Sequence, residues 1–181
     1  MTTLTDLQGT YTIDPAHSRL GFVARHAMIT KVRGSIDEFT GTARTGAGLQ
    51  DAAVELTAQM ASIDTRNADR DAHLRSADFF DAEKFSTLTF RSTEVVAADD
   101  ETLRVTGDLT IKDVTKPVTI DFEFGGRAQD PFGNERIGFE GSTTIDRKDF
   151  GLTFNAALET GGVLVGEKIR LEFEISAVKD A

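Results

Sequence analysis

The sequence predicts an all-β fold: one antiparallel domain with a single short helix, built as a closed barrel or as a sandwich. Three observations predict it. Apolar and polar residues alternate with a period of two along most of the chain, turn-forming residues separate these runs, and one segment alone has helix-forming composition. A chain of 181 residues suits one core. With 39% hydrophobic and 28% charged residues and only three prolines, it has the composition of an ordinary globular domain rather than a disordered or membrane-spanning one.

Residues 1–10 are expected to be a flexible N-terminus and 11–181 a single domain. In the first strand candidate Leu20, Phe22, Ala24 and His26 share one face while Arg19, Val23 and Arg25 share the other. The same alternation runs through Val54, Leu56, Ala58 and Met60, through Leu88 and Phe90, through Leu103 and Val105, and through Leu109 and Ile111. The C-terminal half reads as a meander. Its strands carry Val118, Ile120, Phe122 and Phe124, then Ile137, Phe139, Gly141, Thr143 and Ile145, and finally Ile169, Leu171, Phe173 and Ile175. Turn signals stand at Asp99-Asp100, Lys116-Pro117, Gly125-Gly126, 130–134 and Gly161-Gly162. Between these runs, Thr65 to about Ala77 predicts the helix, with Thr65 or Asn67 as N-cap and Asp69 in the first turn. Asp69 and His73, and Asp71 and Arg75, are spaced to support it as pairs four apart.

The composition closes several routes to chemistry. There is no cysteine, hence no disulfide, thiolate nucleophile or thiolate metal site, in keeping with a reducing compartment. A net charge of −10 with scattered Lys and Arg argues against general affinity for nucleic acid. No apolar run reaches the roughly 18 residues of a spanning helix, so stable membrane insertion is not expected. The opening MTTLTDLQGT lacks the basic and apolar stretches of a secretion signal, and a cytoplasmic location is the expectation. The three histidines, His17, His26 and His73, fall in no metal-binding helix motif. His17 and Ser18, being adjacent on an extended segment, point to opposite faces and make no nucleophile–base pair. There is no nucleophile elbow or phosphate loop, and GAGLQD lacks the third glycine of a dinucleotide fingerprint. No catalytic residue, metal or cofactor is assigned, and the protein is read as a binder rather than an enzyme.

Thirteen phenylalanines against one tyrosine and no tryptophan provide large apolar surface with few polar handles, suited to a dry core or to a lipid cavity. The strand phase of His26 puts it on the buried face, as a core histidine or as a polar contact for a ligand head group. Phe79-Phe80, just after the helix, cap the core or gate a pocket mouth.

Several stretches in order resemble the YceI family of polyisoprenoid-binding, lipocalin-like proteins. They are IDPAHSRLGFVARH at 13–26, RGSIDEFTG at 33–41, SIDTRNADRDAHLRSADFFDAEKF at 62–85, LTFRST at 88–93, VTGDLTIKDVTKPVTI at 105–120 and IDRKDFG at 145–151. The resemblance spans nearly the whole chain. It departs from the family at Tyr11, where tryptophan is frequent, at Ser86, where proline is, and at Asp113, where glycine is usual. It implies an extended eight-stranded antiparallel lipocalin-like barrel with a short helix, and a long apolar cavity that sequesters or carries a polyisoprenoid, an isoprenoid quinone or a similar lipid. Eight strands leave room for one small ligand, and a strand of about ten residues spans roughly 33 Å before tilt.

The residues expected to contact such a lipid are Leu20, Phe22, His26, Met28, Phe39 and Leu56. Farther along they are Phe79, Phe80, Phe90, Ile111, Ile145 and Phe154. Asp64, Arg70, Asp71 and His73 match the family pattern and are read as a network tying the helix to the barrel. A homodimer is implied by the resemblance alone. Two other readings stand beside this one: an enzyme on an apolar substrate, with His26 as acid or base and Arg147 orienting an anion, and a solid barrel acting as a homodimeric interaction module.

Overall fold

The alternation places the apolar side chains of every run on one side of a single antiparallel sheet, and in the computed structural model this sheet closes on itself. The structure describes residues 2–158 and 162–181. Its strands are β1 (Gly9–Ile13), β2 (Arg19–His26), β3 (Thr30–Ile36), β4 (Phe39–Thr45), β5 (Ala53–Gln59) and β6 (Ile63–Asp64), then β7 (Thr87–Ala97), β8 (Thr102–Ile111), β9 (Val114–Gln129), β10 (Glu135–Asp146) and β11 (Lys168–Lys179). The one α-helix among the described residues, α1, is Ala68–Arg75.

Strand order β1-β4-β5-β7-β8-β9-β10-β11 returns to β1, where Tyr11 pairs with Lys179 and Ile13 with Ala177, and this closes an eight-stranded antiparallel barrel. β2, β3 and β6 extend the same wall. β2 takes over from β1 along β11, with Leu20 opposite Phe173, β3 pairs with β2, and β6 pairs with β3. The short segments are therefore halves of longer strands. β1 and β2 are divided at Pro15–His17, where proline lacks the N–H a ladder needs and the Asp14 carboxylate accepts from Ala16 N instead. β3 and β4 bend at Asp37-Glu38, and β5 and β6 at Met60–Ser62. The result is an up-and-down meander, and closure leaves few unpaired edges.

Four expectations need correction. Leu103–Val105 and Leu109–Ile111 are one strand, because Gly107 holds the inward position between them without breaking the ladder. Lys116-Pro117 is no turn but lies inside β9. β10 pairs with β9 only from Asp121 onward, so Pro117 has a ladder neighbour on one side alone and its missing N–H is tolerated. The turn sits at Lys112-Asp113, with Lys112 at φ 58°. Gly125-Gly126 is likewise within β9, where Gly126 faces Gly138 and Phe124 faces Phe139, leaving Gly125 as the extra residue of a bulge. Finally, residues 2–10 are not a free tail: Leu4 is 0% exposed and Leu7 is buried, packed with Tyr11, Ile137 and Ala177 across one end of the barrel. Of the Gly161-Gly162 signal, Gly161 lies outside the described residues.

The helix is shorter than 65–77. Asn67 caps it by accepting from Arg70 N, and Ser76 ends it. Asp71 serves the docking of the helix rather than a pair along it. The buried Asp71 carboxylate accepts from Thr65 N at 2.8 Å and Thr65 Oγ1 at 2.6 Å, while Arg70 donates to Thr65 Oγ1 and to the Thr65 carbonyl. His73 faces Asp78 at 2.9 Å instead of Asp69. No helix among the described residues is long and apolar enough to cross a membrane.

Candidate functional site

The inward side chains of the barrel leave a cavity of about 190 Å³. Its wall is apolar throughout except at one rim, which includes Arg44 and Thr45, and among the described residues no His, Asp, Glu or Lys lines it. It is long rather than round: along β8 alone Leu103, Val105, Leu109 and Ile111 face it, about 26 Å of extended strand at roughly 3.3 Å per residue.

Close packing would fill an eight-stranded barrel with side chains of this size. The lumen stays open because three of its phenylalanine rings are folded against the wall over glycines of adjacent strands. Phe22 lies on Gly34, Phe90 on Gly107 and Phe122 on Gly141, so that a methyl group at Gly107 or Gly141 would stand only 2.5 or 2.7 Å from the ring. Each glycine thus provides a shelf that keeps a ring out of the centre.

One end of the barrel is closed. Phe150, Leu152, Ile111 and Ile120 form a buried cluster against which Phe80 and Ile145 pack. Over it run residues 147–158 and 162–167, between β10 and β11, held by Arg147, which is 2% exposed and whose guanidinium donates to the carbonyls of Leu152, Val165 and Gly166. Burial lowers the Arg147 pKa from its ordinary value, an effect that Glu167 and Asp146 partly offset. Beside this strap His73, Phe79 and Phe154 stack edge-on with ring centroids 4.9 to 5.2 Å apart, clipping the helix to it. At the other end Arg136 donates to Asp14 and Asp130, each at 2.8 Å, joining β10 to the β1–β2 corner and to the turn before it. Those bonds hold both carboxyls down, at about 2.

Of the expected contact residues, Leu20, Phe22, Leu56, Phe90 and Ile111 line the cavity. Phe39 is buried below it with Ile13, Ala58 and Met60, and Phe80 joins the core clusters at the closed end. Phe79, Phe154 and Ile145 belong to that end as well, outside the lining. His26 and Met28 are corrected outright: both are exposed. The strand phase of His26 is inward, but β11 pairs with β2 only as far as Val23, so the end of β2 runs past the covered wall. Lining residues outside the expected set, such as Val105, Leu109, Phe122 and Phe173, sit on the apolar faces that periodicity marks. Inward glycines at 107 and 141 were the available signal of an open lumen.

Three polar side chains weighed for chemistry are engaged away from the lumen. Every hydrogen bond of Arg147 goes to backbone, Ser18 Oγ donates to the Ser176 carbonyl, and His17 sits at the surface 2.8 Å from Asp14. Among the described residues no three His, Asp or Glu side chains converge as metal ligands.

Comparison with known proteins agrees with this architecture. A family model described as the YceI-like domain matches residues 11–177. A UPF0312 protein of Staphylococcus aureus is 40% identical over 165 residues, covering 90% of this chain and 93% of its own. One from Vibrio cholerae is 42% identical over 145 residues, covering 78% of this chain and 77% of its own. Among solved structures, the Campylobacter jejuni YceI protein superposes with a TM-score of 0.74 at 30% identity, over 87% of this chain and 90% of that one. A polyisoprenoid binding domain from Saccharophagus degradans shares the fold with a TM-score of 0.73 at 16% identity, over 94% and 98%.

Proposed function

The chain belongs to the YceI-like domain family, and we propose that its barrel binds a long apolar lipid, a polyisoprenoid or an isoprenoid quinone, to sequester or carry it. The observation that carries this reading is the continuous apolar lumen held open by glycine-seated phenylalanines. A site whose one charged lining residue among the described residues, Arg44, stands at a rim gains affinity from apolar area, at about 25 cal/mol per Å² buried, so long chains are favoured over compact metabolites. A relative of the same fold is described as a polyisoprenoid binding domain, which points to the same ligand class.

The size of the lumen adds a condition. About 190 Å³ is below the roughly 300–1,000 Å³ of sites that hold drug-sized ligands. The rings of Phe22, Phe90 and Phe122 already lie against the wall, so a long lipid enters as other lining side chains or the ends of the barrel give way. Catalysis is the weaker reading because His26 is exposed and Arg147, outside the cavity lining, donates to the carbonyls of Leu152, Val165 and Gly166.

Native mass spectrometry of purified protein, with organic extraction of what it carries, tests the proposal. The expected result is a stoichiometric long-chain isoprenoid, and empty protein that takes up none when offered a long-chain quinone overturns it. The same spectra count subunits, and two copies per particle is the expected state.

A further inference from the structure

We infer that the hairpin joining β2 and β3 is a docking element for an anionic lipid bilayer, with an apolar tip and a cationic collar. At the tip Met28 is 59% and Ile29 77% exposed, adjacent residues among the few large apolar side chains that the described surface presents. Such a pair has no use in water. The turn is also built at a local cost: Ala27 and Met28 both lie in the left-handed region, at φ 52° and 63°, where tight hairpins favour asparagine and glycine. The sequence gives up turn chemistry and places apolar side chains there.

The collar is just below. Arg25 and Lys31 stand directly opposite each other across the hairpin, and Val23 opposite Arg33, so the three cations share the outer face. Like charges in directly opposed positions destabilise a hairpin, so folding does not account for them. Arg170 continues the patch on β11, next to Val23, and the neighbouring acid Glu172 lies 3.5 Å from Arg170. Among the described residues Arg25, Lys31 and Arg33 make no ion pair, and all three are exposed. From Pro15 to Ile36 the chain has no acid at all, in a protein of net charge −10.

Charge complementarity calls for a negative partner, and the apolar tip selects a bilayer over a soluble polyanion, since only a bilayer offers both phosphates and an apolar interior a few ångströms apart. The hairpin is also joined to the strap at the closed end of the barrel: Ala27 N donates to the Leu164 carbonyl and Gly166 N to the Arg25 carbonyl. Docking would bring that end to the membrane. This inference goes beyond lipid binding and does not need it, because attachment is measured whether or not the barrel is filled.

Vesicle co-sedimentation of the full chain tests it. The protein should bind vesicles of phosphatidylcholine with about one-third phosphatidylglycerol at roughly 0.1 M salt, release at about 0.5 M, and ignore pure phosphatidylcholine. Replacing the collar (R25S, K31S and R33S together) should weaken binding about a hundredfold, at about tenfold or less per cation. M28S with I29S should weaken it at least tenfold, with the melting temperature unchanged as evidence of an intact barrel. No binding to anionic vesicles overturns the inference. So does binding that is indifferent to the tip variant, or equal affinity for a single-stranded oligonucleotide, because each assigns the patch to a polyanion instead of a membrane.

Discussion

Two arginines show how differently a guanidinium behaves in this barrel. Arg136 works through carboxylates: its bonds to Asp14 and Asp130 hold both pKa values at about 2, below the ordinary carboxylate value of about 3.9. Since folding lowers these values, the unfolded chain binds protons first. The stabilisation is complete above about pH 4 and drains away as pH falls towards 2. Melting curves across that interval should therefore be steeper in pH for the native protein than for Arg136→Ala. Arg147 works through backbone carbonyls instead. Arg147→Met keeps the stem but leaves the buried carbonyls of Leu152 and Gly166 without donors, and a loss of about 3 kcal/mol in urea unfolding is expected.

At the scale of elements, pairs of strands decide what the interior becomes. The atoms nearest to the Cβ that alanine would add at Gly34 all belong to the ring of Phe22. Gly34→Ala should therefore push that ring into the lumen, at a cost of about 1–3 kcal/mol, and reduce the lipid carried. Adding Phe22→Leu removes the ring and should restore both stability and occupancy. This coupling, read in unfolding and in native mass spectra, separates a shelf from a mere loss of strand propensity. The helix illustrates the same dependence. Asp71 and His73, each placed at a spacing that favours pairs within the helix, are engaged instead by Thr65 and by Asp78 once α1 is set beside β6.

For the whole molecule, closure through β1 and β11 converts half-apolar strands into a wall around a shared interior. If the interior holds a lipid in the native protein, that lipid contributes to stability by mass action. Organic extraction followed by refolding should lower the melting temperature, and a long-chain isoprenoid at about a hundredfold over its Kd should return roughly 2.7 kcal/mol. A chain a few carbons long should return much less.

Most of this architecture is legible in the order of residues, because burial on one side of a strand imposes a period of two that needs no knowledge of partners. The inward phase of Leu20 and Phe22, Leu56, Phe90 and Ile111 is read in this way, and the helix around Asp71 from the break in that alternation and its helix-forming composition. What tertiary structure alone decided is where the barrel wall stops and how its interior is filled. His26 has the same phase as Phe22 but lies beyond the pairing of β11, and Met28 crowns a hairpin rather than entering the lumen. Pro117 and Gly125, turn-formers by type, are held in β9 because the neighbouring strand ends or bulges beside them. Phase is a local property of the chain, whereas the extent of a strand's cover and the seat of a ring depend on residues far away in sequence.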